Sequence, residues 1–166
     1  VQVAANGGPA ALAACWYAVN PDPALAAAYL ASLTAAAADT WATEVGTAFG
    51  TRCVRISNLA SVAPGVSGAV TLPGLAAALV GSAFLAAFSP PLGLTHATGG
   101  ILLVGFGACL ADSLLGDLVQ GRFVDPAGVE NEQGVGTRVR GVRWLNNDGV
   151  NLVCTTAAAV CGYFLV

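Results

Sequence analysis

The stretch Gly99-Gly100-Ile101-Leu102-Leu103-Val104-Gly105-Phe106-Gly107-Ala108-Cys109-Leu110-Ala111-Asp112-Ser113-Leu114-Leu115-Gly116-Asp117-Leu118-Val119 has no basic residue and only two acids, both near its end. Crossing the hydrocarbon core of a bilayer takes about 20 mainly apolar residues in a helix, and this stretch meets that length. Working outward, four more apolar stretches flank it. The first is interrupted at Asn6-Gly7-Gly8-Pro9 and closes at Asn20-Pro21-Asp22-Pro23, where proline stops a helix. The second is rich in Ala and Leu, and the third opens at Leu72-Pro73, where Pro suits a first helical turn. The last opens at Asn146-Asn147-Asp148. The sequence therefore predicts an all-α fold. It is a polytopic transmembrane helix bundle of about five spans, at approximately 1–19, 24–49, 72–88, 99–120 and 147–166, forming one integral membrane domain across 1–166.

Composition points the same way. Of 166 residues, 56% are hydrophobic and only 9% charged, with a mean hydropathy of +0.73; an ordinary soluble domain has roughly 25% charged residues. The six basic residues are all Arg and the net charge is -3, so no basic surface exists to neutralise a run of phosphates, and no nucleic-acid partner is expected. Cys15, Cys53, Cys109, Cys154 and Cys161 have no CxxC spacing and suggest neither a disulfide framework nor a zinc site. The chain has no Met and no charged leader before Val1, which predicts a fragment with upstream helices missing, although removal of a Met before Val1 would leave the same start.

All six Arg, at 52, 55, 122, 138, 140 and 143, fall in the two long polar loops 50–71 and 121–145, whereas the connections 20–23 and 89–98 carry none. The positive-inside rule places both long loops, and with them the N-terminus, in the cytoplasm. Two spans separate the loops, so the count of helices agrees with the charge. His96 lies in the outer connection and receives no role.

A short repeat relates the second and fourth spans: Ala38-Asp39-Thr40-Trp41-Ala42-Thr43-Glu44 against Ala111-Asp112-Ser113-Leu114-Leu115-Gly116-Asp117. Two spans apart, the copies run in the same direction, a parallel rather than an inverted repeat. An ionisable residue at a helix centre costs at least about 2.5 kcal/mol on insertion scales, so four carboxylates in two spans require a purpose. Acids five residues apart diverge by about 140° around a helix, so a shared site must draw acids from both helices. Asn6-Gly7-Gly8, Pro64-Gly65-Val66-Ser67-Gly68 and Asn147-Asp148-Gly149-Val150-Asn151 lie on that same cytoplasmic side, at the starts of three helices. Carboxylates hold Mg²⁺ with substrate phosphates completing its shell, and helix N-termini with Arg suit phosphate oxygens. The pattern predicts an anionic phosphate ligand handled with a divalent metal.

These motifs resemble, in order and spacing, an integral-membrane family known as domain of unknown function 92, whose relatives include transmembrane protein 19 and phytyl-phosphate kinase. The resemblance rests on Val1 to Gly8, Ala38 to Gly46, Pro64 to Val70, Asp112 to Gly116 with Gln120, and Trp144 to Asp148 with Val150-Asn151, and it covers nearly the whole chain. It implies that an N-terminal portion is absent, and that an isoprenyl monophosphate is phosphorylated to its diphosphate by a nucleotide triphosphate. The expected site has Asp39, Glu44, Asp112, Asp117 and Asp148 as catalytic and Mg²⁺-holding groups. Asn6, Arg52, Arg55, Gly65, Ser67, Gly68, Gln120, Arg122, Asn147 and Asn151 are the expected phosphate-binding residues.

Two other classes compete. An ion-coupled transporter could use the same buried acids as a relay, although the outer halves of the helices carry few polar groups. A CDP-alcohol phosphotransferase is suggested by Asp112-x4-Asp117 before Gly121-Arg122, but the spacing differs and the downstream acids are missing.

Overall fold

The computed structural model describes residues 2–63, 65–128, 130–131 and 134–166; Val1 and Pro64, which opens the expected glycine loop, lie outside the described residues. Five α-helices dominate: α1 (Gln2–Val19), α2 (Pro23–Phe49), α3 (Leu72–Ala86), α4 (Thr98–Leu118) and α5 (Asn147–Tyr163). Their starts follow from local chemistry. Asp22 caps α2 by accepting from the Ala24 amide at 2.9 Å, with Pro23 in the first turn. Thr71 caps α3 through the Gly74 amide at 3.1 Å. Asn146, rather than Asp148, caps α5 by accepting from the Gly149 amide at 3.0 Å. Asp148 sits in the first turn, where its charge complements the helix dipole.

The expected break at Asn6-Gly7-Gly8-Pro9 does not occur, and α1 runs through Pro9. Proline removes the amide that would serve the carbonyl four residues earlier, here that of Ala5. Thr155 of α5 supplies the replacement, its hydroxyl lying 2.8 Å from the Ala5 carbonyl oxygen. In a bilayer, where water cannot satisfy a freed carbonyl, such a side-chain donor is what lets a helix keep its proline.

α2 is the central helix, with α1, α3, α4 and α5 all packed on it. Its buried residues are mostly Ala, with Ser32, Thr34 and Gly46, so four neighbours can approach closely. Where α2 crosses α3, a Cβ on Gly74 would stand 2.7 Å from the Ala42 carbonyl oxygen, so only glycine permits this approach. The buried face of α3 is likewise Gly74, Ala77, Ala78, Gly81 and Ser82.

The size gradient is inverted relative to a water-soluble core. Small residues, with a few larger ones such as Leu30, Leu94 and Ile101, fill the inside, whereas Leu12, Trp16, Val80, Phe84, Leu103, Val153 and Val160 point outward, Leu103 being 68% exposed. Lipid tails solvate such side chains as well as a protein interior does. Among the described residues, two segments, Leu72–Leu92 and Thr95–Leu118, are long and apolar enough to cross a membrane.

The polar loops are not irregular, and this departs from a purely helical fold. In 50–71, β1 (Val54–Arg55) pairs antiparallel with β2 (Ala69–Val70). In 121–145, β3 (Arg122–Val124) is flanked by β4 (Glu130–Asn131) and β5 (Thr137–Arg140). Short β-branched runs punctuated by left-handed glycines at 128, 134, 136 and 141 favour such ribbons over helix. Arg55 and Arg122 tie both loops to the foot of α4 and to each other, so the two Arg-bearing loops share one end of the bundle.

Candidate functional site

Residues three and four apart share a helix face, and the second halves of α2 and α4 use this to build two facing polar stripes. α2 offers Asp39, Thr43 and Gly46, with Thr40, Glu44 and Thr47 alongside; α4 offers Cys109, Asp112, Ser113 and Gly116, extended by Gln120. Thr34 packs on Gly105 one level further in, so the two helices run in the same direction, as the repeat predicts. Between them opens a cleft of about 240 Å³, closed on the loop side by Cys53 and Gly65 to Thr71. The N-terminal turns of α1, α3 and α5 reach it through Gln2, Thr71 with Gly74, and Asn147. Each such terminus brings the positive end of a helix dipole.

Three acids line the cleft, and among the described residues no Lys, Arg or His does. Asp112 is buried and shares the lining of a small cavity with the Cys154 thiol; Asp39 is half-buried and Glu44 is exposed at the rim. Asp39 and Asp112 also line a much smaller cavity behind the cleft, shared with Asn6, Asn151, Cys154 and Thr155.

The second acid of the α4 repeat has a different setting. Asp117 is fully buried, 2.8 Å from Arg55 Nη1 and from Arg140 Nη2, with Arg122 Nη2 at 3.8 Å. Arg140 also donates to the Asp117 backbone carbonyl and Arg122 to the Ser67 carbonyl. The angular divergence of positions five apart accounts for this: Asp112 turns into the cleft and Asp117 away from it.

Of the expected phosphate-binding groups, Gly65, Ser67, Gly68, Gln120 and Asn147 line the cleft, while Asn6 and Asn151 line the small cavity behind it. Arg52, Arg55, Arg122 and Asp148 are not in the lining of either, and Arg52 is exposed. Sequence reasoning gave no role to Arg140, nor to Thr40, Thr43, Thr47, Thr71 and Cys53. Hydroxyls four residues beyond Asp39 and before Glu44 were the available signal for the threonines.

Among the described residues no three His, Cys, Asp or Glu side chains gather into a ready-made metal cluster. What the cleft offers is an Asp39–Asp112 pair among hydroxyl and amide oxygens. That donor set fits Mg²⁺, a hard ion that takes one or two carboxylates and leaves the rest of its shell to water and phosphate.

Comparison with known proteins agrees with this architecture. The sequence profile of the family described as integral membrane protein DUF92 matches residues 1–159. An uncharacterized membrane protein of Synechocystis is 35% identical over 120 residues, covering 69% of this chain and 46% of that protein. The chain thus spans about half the length of the curated relative it matches. No solved structure matches it. A profile match along almost the entire chain, on a helical bundle with small residues inside and large apolar ones outside, settles the affiliation: the chain belongs to the integral membrane family called domain of unknown function 92.

Proposed function

We propose that this chain forms the phosphate-handling part of a five-span membrane phosphotransferase, which converts an isoprenyl monophosphate to its diphosphate at the cytoplasmic face using a nucleotide triphosphate. The observation that carries the reading is the Asp39–Asp112 pair, set in one cleft with three helix N-termini and, among the described residues, without a basic side chain. An acidic cleft repels phosphate unless a cation joins it, and the helix ends then favour the anion.

Asp39 and Asp112 would hold Mg²⁺, with Glu44 at the rim. When bound, the ion supplies charge neutralisation between the two phosphates. Amides of the Gly65 to Gly68 loop and of the first turns of α3 and α5 orient the phosphate oxygens. The hydroxyls of Thr40, Thr43, Thr47 and Ser113 exchange hydrogen bonds with the same groups. An oxygen of the prenyl monophosphate attacks the γ-phosphorus, the bond from that phosphorus to the β–γ bridging oxygen breaks, and the nucleoside diphosphate leaves. Phosphoryl transfer needs positioning and charge compensation, not a covalent nucleophile. The prenyl tail leaves the cleft past Ala42 and Leu75, which line its apolar side.

The test uses the full-length protein in liposomes with γ-labelled nucleotide, Mg²⁺ and a panel of prenyl monophosphates. Labelled prenyl diphosphate is expected, abolished by EDTA and lowered at least about a hundredfold by Asp39→Asn or Asp112→Asn. Undiminished transfer by both variants removes the carboxylates from the mechanism, and no transfer by folded protein overturns the reading.

A further inference from the structure

Behind the cleft, at the level where α1, α2, α4 and α5 meet, lies a cavity of about 10 Å³ lined on its polar side by Asn6, Asp39, Asp112, Asn151, Cys154 and Thr155. Asn151 is only 3% exposed, and neither its Oδ1 nor its Nδ2 has a hydrogen-bond partner. A buried amide with donor and acceptor both unmet is rare in folded proteins and marks a guest, commonly a water or an ion. The space suits one guest of about the size of a water molecule.

Charge decides which guest. Two carboxylates face the cavity, and no Lys, Arg or His lines it among the described residues. Arg55, Arg122 and Arg140 are gathered around Asp117 instead. With no Mg²⁺ in the cleft and no proton shared between the acids, a water in the cavity leaves the charge of the pair uncompensated inside the bundle. A divalent ion fits poorly, because Mg²⁺ keeps several waters and Ca²⁺ requires six to eight oxygens. A monovalent ion sheds its hydration more readily and matches the amide and carboxylate oxygens at hand.

We propose that this inner cavity is a binding site for one dehydrated alkali cation of sodium size, held by the amide oxygens of Asn6 and Asn151 and by Asp39 and Asp112. The ion locks α1 and α5 against the acid-bearing turns of α2 and α4. The site does not depend on the phosphotransfer reading, and it is tested without nucleotide or magnesium.

The experiment measures equilibrium binding of ²²Na⁺ to the full-length protein in detergent with EDTA present, alongside thermal unfolding in sodium, lithium, potassium and N-methylglucamine chlorides at equal ionic strength. Saturable binding of one Na⁺ per chain is expected, with a higher unfolding temperature in sodium than in N-methylglucamine. Asn151→Leu is expected to weaken binding at least tenfold, and Glu44→Gln, which alters the cleft but not the cavity, to leave it unchanged. Absence of saturable binding by the unmodified protein, with equal unfolding temperatures in all four salts, overturns the proposal and leaves water as the occupant. Loss of binding in Glu44→Gln overturns it as well, because the ion would then sit in the cleft.

Discussion

The Thr155 hydroxyl lies 2.8 Å from the carbonyl oxygen of Ala5, the acceptor that Pro9 deprives of its helical amide. It lies equally near the Asn151 carbonyl of its own helix, so one hydrogen serves two acceptors. An orphaned buried carbonyl costs about 1–3 kcal/mol. Thr155→Val is therefore expected to lower unfolding free energy by about that much, and the loss should shrink in a Pro9→Ala background, where residue 9 regains its amide. Equal losses in the two backgrounds, measured by thermal unfolding in detergent, would separate Thr155 from the proline.

Asp117 answers at least two guanidinium groups from loops far apart in sequence. Removing one partner of a buried ion pair costs about 3–5 kcal/mol; Arg140 keeps access to water, so Asp117→Asn is expected near the low end, at about 3 kcal/mol. Limited proteolysis should then cut loops 50–71 and 121–145 before the helices. Wild-type protease resistance in the variant would deny the acid its role as the loop anchor.

Gly65 and Gly68 both have a left-handed backbone, with φ of +82° and +78°. Around Gly65 a Cβ meets nothing within 4 Å, whereas at Gly68 it would stand 2.3 Å from Asp117 Cβ. Gly65→Ala should thus cost only the backbone penalty, about 1–2 kcal/mol. Gly68→Ala adds a collision with a buried residue and should unfold the loop junction, a contrast that the same proteolysis assay reads directly.

Cys53 lines the cleft, and burial holds its thiol above the ordinary pKa. The thiolate is the reactive form, so less of it exists at neutral pH and the fraction grows only as pH rises toward the raised value. Site-resolved maleimide labelling should be slower at Cys53 than for a free thiol at pH 7, and should go on rising with pH where the rate for a free thiol has levelled off. Nucleotide with Mg²⁺ is expected to slow it further; labelling unaffected by either would place the ligand elsewhere.

Much of this architecture is readable from the chain. Asn20-Pro21-Asp22-Pro23, Leu72-Pro73 and Asn146-Asn147-Asp148 announce the helix starts, and the clustering of all six Arg in two loops foretells that those loops share an end. The repeat at Ala38 and Ala111 reveals α2 and α4 as like-directed helices carrying paired acids. The fate of Asp117 was not readable, because its partners come from positions 55, 122 and 140, and no local pattern signals so distant a convergence. The continuity of α1 was hidden for the same reason: Pro9 looks like a stop until Thr155, on the last helix, is brought beside it. The strands in the polar loops escaped notice because they are two to four residues long, too short for alternation to register.

Because α2 is held by every other helix through Ala and Gly contacts with little slack, it behaves as a fixed axle. Widening the cleft by shifting α2 would break all four interfaces at once. The loop end of α4 is fastened twice over, by the guanidinium groups around Asp117 and by the close approach of Gly68 to its last turn.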